Sequence, residues 1–449
     1  MRWLTVTLAM GFIVALLFGL MAGAYGLATW LGEWGWLSNL VVLMVVFVMV
    51  IATLLTVAER KWSAMMQDRI GPNRARIGLP GLRDRSLGGL PHVASDALKM
   101  LFKESFVPKN ANRFLFNLGP VLAFAPVFAL FAVVPAGPTI HLGGQHVPMV
   151  VSNPDFGLLY IFAIASLAVY GTSLAGWSSN NKLALLGGVR AASQMISYEV
   201  ALGLSLVGMM VAMSTVRLPE MVIGQEQFLW QGTLELFGGR MTLGVPAWGI
   251  LLQPVGFVLF FAAAFAETKR APFDVPEGES EIIGYFVEYS GMKFGMFMIS
   301  EFVEIVILSA VTTCIFFGGH QVPFFHQALA RSNFFTDHQI LWGAFSGMVF
   351  WVKVLLLCWL QLLIRWTFPR FRYDQIQALG WKMLLPAGLL NVFVSAALVL
   401  WDPSLKALAV LGMAEIGLVM ALTTTRRSGE AEHAGHAAPS EAAHAAPPH

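Results

Sequence analysis

The chain is built from apolar runs that are each long enough to cross a bilayer, which takes about 20 residues in helical form. Such runs lie at 5–30, 37–58, 114–135, 156–177, 191–216, 246–266, 294–318, 342–366, 382–402 and 405–423. With 57% hydrophobic and 12% charged residues, the chain has about half the charge of an ordinary soluble domain. A soluble fold could not hide this much apolar surface. The expected class is therefore an all-α integral membrane protein of ten spans. Trp30, Trp36, Trp177, Trp342, Trp366, Trp381 and Trp401 fall near span ends, where amphipathic rings prefer to sit.

Strict alternation of ten spans puts both termini on one side. With that side cytoplasmic, cytoplasmic segments hold 23 of the 28 Lys and Arg residues, so the positive-inside rule fixes the expected orientation. The run at 5–30 follows Arg2 but is longer than a signal-peptide core. Residues 31–36 (LGEWGW) make a poor cleavage site, so an uncleaved helix is expected. Gly19-Leu-Met-Ala-Gly23 is a spacing that permits close helix packing. Residues 428–449 are rich in Ala, His and Pro without apolar period and are expected to be disordered.

Cys314 and Cys358 both lie in apolar runs and read as buried small residues rather than ligands. There is no phosphate-binding Gly loop, no Cys-x-x-Cys, no His-Glu-x-x-His and no nucleophile elbow. No metal site, no catalytic residue and no nucleic-acid partner are expected. Redox chemistry would have to come from other chains.

Four cytoplasmic segments carry unusual polarity. The first, Glu59 to Arg113, opens with Glu59-Arg60-Lys61, where an acid beside two bases at a membrane boundary suggests a paired site. It continues through Arg69-Ile-Gly-Pro-Asn-Arg74, and most of its arginines also suit contact with lipid headgroups. The second, Gly176 to Arg190, leads into a span carrying Glu199 about two turns inside. A carboxylate there must face protein, find a partner or take a proton. The third, 267–293, holds Glu267, Asp274, Glu277, Glu279, Glu281 and Glu288 against three bases. That balance opposes the orientation rule, so the loop is not headgroup decoration. The following span adds Glu301 and Glu304 on one helix face. Closely spaced, buried carboxylates repel one another and hold protons more readily, which makes them candidates for a proton path. The fourth, Pro369 to Gln375, is a basic aromatic turn.

Taken together, these segments resemble the H-type membrane subunit of respiratory complex I (NADH:quinone oxidoreductase), equivalent to mitochondrial subunit 1. The matching stretches are Glu59-Arg-Lys61, Arg69-Ile-Gly-Pro-Asn-Arg74, Gly176-Trp-Ser-Ser-Asn-Asn-Lys182, Ser197-Tyr-Glu199, Ala266-Glu-Thr-Lys-Arg-Ala-Pro-Phe-Asp274, Glu288-Tyr-Ser-Gly-Met-Lys293 and Arg372-Tyr-Asp-Gln375, in family order. The resemblance implies a family domain at 37–402 with eight helices. An additional helix would lie at each end (1–36 and 403–427), ahead of the tail 428–449. It implies a quinone chamber near Glu59, Arg60, Lys61, Glu267, Asp274, Glu277, Glu279 and Glu281. It also implies a proton path through Glu199, Glu288, Glu301 and Glu304. Arg74, Arg270 and Arg372 would brace loops or partners.

By the same resemblance, quinone is substrate and nothing is bound covalently. FMN, NADH and iron–sulfur clusters belong to partner subunits. Partners are the soluble quinone-site subunits, neighbouring membrane subunits and lipid, in a bacterial inner membrane. Lys269 stands where relatives commonly have Asn, and Gly278 where Ala is common. Two other readings fit buried acids on many spans: a homologous subunit of a membrane-bound hydrogenase-type complex, and an independent ion transporter.

Overall fold

The computed structural model describes residues 2–75, 89–142, 145–236 and 239–436. Part of the loop between Glu59 and Arg113 (76–88) and the end of the tail (437–449) lie outside the described residues. Helices dominate. They are α1 (Arg2–Leu31), α2 (Gly35–Met66), α3 (Pro91–Phe102), α4 (Arg113–Val133), α5 (Gly157–Ser178) and α6 (Lys182–Met213), then α7 (Pro254–Glu267), α8 (Gly291–Phe316), α9 (Gln339–Thr367), α10 (Tyr373–Trp401) and α11 (Lys406–His436). Among the described residues, eight helices are long and apolar enough to cross a membrane: α1, α2, α4, α5, α6, α8, α9 and α10.

The expected span at 246–266 is broken. A short helix, Gly249–Leu252, stops at Gln253, and α7 restarts at Pro254. Proline cannot supply the hydrogen bond that would continue the first piece. The Gln253 side chain donates to Ser395 Oγ at 2.5 Å and accepts from Asn391 at 2.9 Å, tying the break to α10. At about 1.5 Å per residue, α7 alone falls well short of the roughly 30 Å of hydrocarbon, so a crossing here needs both pieces.

The structure adds three features to this reading. Two antiparallel hairpins, β1–β2 (Gly137–Leu142 with Gln145–Met149) and β3–β4 (Phe228–Leu236 with Gly239–Pro246), fill segments in which the apolar runs indicate no element. Helix α11 runs on to His436, so the first residues of the tail continue a helix. Glu430, Ala431 and Glu432 are good helix formers and extend what the apolar run nucleates. Gly19 and Gly23 are exposed and meet nothing within 4 Å. The small residues at this crossing are Gly343 and Gly347 of α9, where a Cβ would overlap Tyr25 and Met21 of α1.

Helix α8 is the axis of the bundle. Of its best apolar window 78% is buried, against 17–50% for the other spans. Every residue from Ser300 to Phe316 is buried. Trp351 of α9 anchors the core beside it, stacked on Phe47 at 4.6 Å and Phe131 at 5.8 Å. Helices α4 and α5 approach so closely that a Cβ on Gly171 would overlap the Ala123 backbone. At the start of α8, Gly291 has φ of 61° and a Cβ there would lie 2.8 Å from the Lys103 carbonyl. Only glycine combines that backbone with that approach, and it seats α3 against the mouth of α8.

Candidate functional site

Helix α7 ends where Lys269 takes a left-handed turn at φ 54°, which redirects the chain toward the bundle interior. Gln194 of α6 holds this turn, donating to the carbonyls of Ala266 and Phe273, each at 2.7 Å. Arg270 thereby enters the space between α2, α8 and α9. Its Nη1 donates to Glu59 Oε2 at 2.5 Å, and its Nη2 lies 3.5 Å from Glu301 Oε2. Its guanidinium also lies 3.9 Å from the centre of the Phe302 ring. The other oxygen of Glu59 meets Arg365 Nη1 at 2.7 Å. Base and acid thus alternate through Arg365, Glu59, Arg270 and Glu301. The Arg270 and Glu301 side chains are 6% and 8% exposed.

Burial opposes the charge on Arg270, but the adjacent Glu59 and Glu301 more than offset it and raise its pKa. The guanidinium stays charged. An alternating buried chain of this kind is stable only with all members present, because each charge is the other's solvation.

The acidic loop divides in two. Asp274 and Glu277 turn inward. Asp274 is buried and accepts from Arg370 Nη2 at 2.9 Å, while Arg370 Nη1 donates to the Gly278 carbonyl at 3.1 Å. Burial raises the Asp274 pKa, partly countered by Arg370 and Arg365. Glu277 is pushed up to about 8, first by burial and then by the neighbouring Glu301 and Asp274. It holds a proton over much of the neutral range. Glu279 and Glu281 turn outward: Glu279 pairs with Arg190 at 2.8 Å with its side chain 57% exposed, and Glu281 is exposed.

Glu304 is buried one turn along α8 from Glu301. Glu267 is buried, its Oε2 has no hydrogen-bond partner among the described residues, and it lies within electrostatic reach of Glu304 and Glu199. Lys269, also buried, lies 5.9 Å from the Tyr285 ring centre and supplies positive potential to Glu267, Glu301 and Glu304. Glu288 stands apart from this group, accepting from Asn181 at 2.8 Å.

The remaining expected residues are more peripheral. Arg60 points away from Glu59 and pairs with Asp96 at 2.6 Å. Lys61 donates to the Ile70 carbonyl at 3.1 Å and props the loop. Arg372 is exposed, and its backbone N–H donates to Gln375 Oε1 at 3.0 Å where α10 begins. Arg74 lines an open groove of about 560 Å³ shared with Glu59, Arg60, Ser63, His92 and Trp366. Sequence reasoning missed Arg365, Arg370 and Gln194 as members of the site. A base in the last turn of an otherwise apolar span was the signal for Arg365.

A family model described as NADH dehydrogenase matches residues 38–396. The chain is 39% identical over 353 residues to an H subunit of NADH-quinone oxidoreductase from Cytophaga hutchinsonii, covering 78% of this chain and 93% of that protein. It is 39% identical over 359 residues to the NADH-quinone oxidoreductase H subunit of Flavobacterium psychrophilum, covering 80% and 95%. The chain belongs to the family of NADH-quinone oxidoreductase H subunits. Rhodothermus marinus has a further relative, NADH-quinone oxidoreductase subunit 8, at 37% identity over 362 residues, covering 80% of this chain and 96% of that protein. In this H-subunit family member, the ion-pair chain lies wholly within the matched region, and all four of its residues come from different elements.

Proposed function

We propose that this chain is the membrane subunit through which an NADH:quinone oxidoreductase binds quinone and couples its reduction to proton movement. The observation that carries the reading is the position of Glu59. It forms part of the wall of an open groove, and its carboxylate also bridges Arg365 and Arg270 in the ion-pair chain that ends at Glu301 on the central helix. Charge changes in the groove are thereby read inside the membrane domain without any mobile cofactor in this chain.

Reduction of a quinone to a quinol takes two electrons and two protons. The electrons would come from an iron–sulfur cluster of a partner subunit, which also closes the open side of the groove. FMN and NADH sites belong to partners too. Glu277, protonated at neutral pH and next to Glu301, is the proton-holding group nearest the chain. A change of charge at the groove alters how strongly Glu59 holds Arg270. Arg270 then redistributes between Glu59 and Glu301, and the acids Glu304, Glu267 and Glu199 respond in turn. Glu279, Glu281 and Glu288 sit outside this sequence of contacts and act on partners or loop shape. The chain works as a multi-pass subunit in a bacterial inner membrane with both termini cytoplasmic, among lipid and neighbouring membrane subunits.

The test is Glu59→Gln and Glu277→Gln, measured separately in inverted membrane vesicles. NADH-driven quinone reduction and acidification of the vesicle interior should fall together, by about tenfold or more for Glu59→Gln, which is about 1.4 kcal/mol of coupling. Full retention of both activities in assembled complex would refute the proposal.

A further inference from the structure

The opposite end of α8 carries a second cluster that the quinone-side chemistry does not use. Glu226 follows a short helix at Leu218–Gly224, His320 sits in the turn after α8, and His326 opens a short helix at His326–Ala330. One donor atom from each lies within 4.8 Å of the other two, and His326 Nε2 is 3.4 Å from Glu226 Oε1. His320 is 5% exposed, and its Nδ1 has no hydrogen-bond partner among the described residues. A groove of about 870 Å³ has both Glu226 and His320 in its wall.

The frame around these donors is held in place. Each ligand has a glutamine next to it in sequence that is locked across the fold. Gln225 donates to the Cys314 carbonyl at 2.8 Å and accepts from the Gly249 and Gly318 amides, each at 3.1 Å. Gln321 donates to the Val222 carbonyl at 2.5 Å, and Gln327 to the Glu226 carbonyl at 2.9 Å. Lys353 of α9 ties the same turn by donating to the carbonyls of Phe317, Gly319 and Gln321 at 2.7, 3.0 and 2.6 Å. Donors held by packed, hydrogen-bonded neighbours are what a metal site requires.

We propose that Glu226, His320 and His326 form a binding site for a zinc-class divalent ion on the outer face, with groove water as the fourth ligand. Two imidazoles, a carboxylate and an open position make the tetrahedral donor set that zinc takes, with bonds of about 2.0–2.2 Å. Those bonds put neighbouring donors about 3.3–3.5 Å apart, which the His326–Glu226 separation already meets. The imidazoles select against calcium and magnesium, which prefer oxygen. One contact is given up. The Val322 amide donates to His326 Nδ1 at 3.2 Å, and that nitrogen must carry the ring proton once Nε2 binds metal. The bound ion would pin the segment after α6 to the turn after α8, fixing the outer end of the helix that carries Glu301 and Glu304. Sequence reading found no metal site because the donors come from two distant loops without a recognisable spacing.

The test uses the membrane-extracted protein with all subunits that co-purify, stripped by chelator and titrated with Zn²⁺ against a fluorescent zinc chelator. Wild type should bind one more equivalent than His326→Ala or Glu226→Gln, while His326→Cys, which restores a zinc ligand, should regain it. Zinc-edge X-ray absorption of the wild type should show imidazole scattering that weakens in His320→Gln. Equal zinc in wild type and the Ala variant would overturn the site, as would displacement by Mg²⁺ at comparable concentration. So would an equal loss with His141→Ala, since His141 and His146 lie in the same groove with rings 4.4 Å apart. If the variants do not assemble, an absorption edge without imidazole in wild type still refutes the proposal.

Discussion

Replacing Arg270 with Met tests the ion-pair chain where it is most tightly constrained. Methionine keeps an unbranched apolar stem but removes the charge and the guanidinium that lies over the Phe302 ring. Glu59 keeps Arg365 at 2.7 Å. Glu301 is left without a basic group in ion-pair range among the described residues, with its side chain 8% exposed. Removing one partner of a buried pair costs about 3–5 kcal/mol, most of it the isolation of the remaining charge. If only about 1.4 kcal/mol of that reaches the coupling step, turnover falls tenfold.

The assay is NADH-driven quinone reduction in membranes, normalised to assembled complex on native gels. NADH reduction of a water-soluble acceptor serves as control for the electron-input subunits. Arg270→Met should lose quinone reduction and keep the control. Adding Glu301→Gln removes the orphaned charge, so assembly of the double variant should exceed that of the single. The coupling of about 0.5–3 kcal/mol is what directly contacting groups show. Arg270→Lys should recover little, since one ammonium cannot reproduce a fork that reaches two carboxylates. Wild-type quinone reduction by Arg270→Met, or strict additivity with Glu301→Gln, would refute the reasoning.

Glu277 gives a pH prediction. Its folded pKa of about 8 lies above the ordinary value of 4.5, so the native state binds the extra proton between those limits. Its contribution to stability is therefore greatest below about pH 4.5 and is lost as pH rises through 8. Thermal inactivation of wild type should worsen from pH 6 to 9 more steeply than that of Glu277→Gln; parallel profiles would contradict this. Arg370→Ala should strip Asp274 of its partner at a cost of about 1–3 kcal/mol, read as faster proteolysis within 270–290, and unchanged cleavage would count against the clamp. Gly171→Val should sharply lower the amount of protein in the membrane, because the added side chain meets the Ala123 backbone; normal accumulation would mean that α4 and α5 part easily.

Much of this protein is written in its apolar periodicity and its out-of-place acids. The all-α membrane class and most span positions follow from run length alone, because hydrocarbon demands helices that satisfy their own backbone. That Glu59, Asp274, Glu277, Glu301 and Glu304 need partners or protons was legible because charge is costly at a membrane boundary, whereas Arg270 read only as a brace for loops or partners. Direction was not legible. Residues 274 and 277 face inward and 279 and 281 outward because Pro272, Pro276 and the Arg370 clamp shape an irregular loop, which carries no period to read. Arg365 and Gln194 became site residues only through contacts from distant helices. The break at Gln253 escaped for the opposite reason: hydropathy averages over a window, and a single polar residue bound to Asn391 and Ser395 vanishes in that average. Composition therefore decided what must be buried, and tertiary packing decided which buried charges met, since pairing depends on distances between segments that are far apart along the chain.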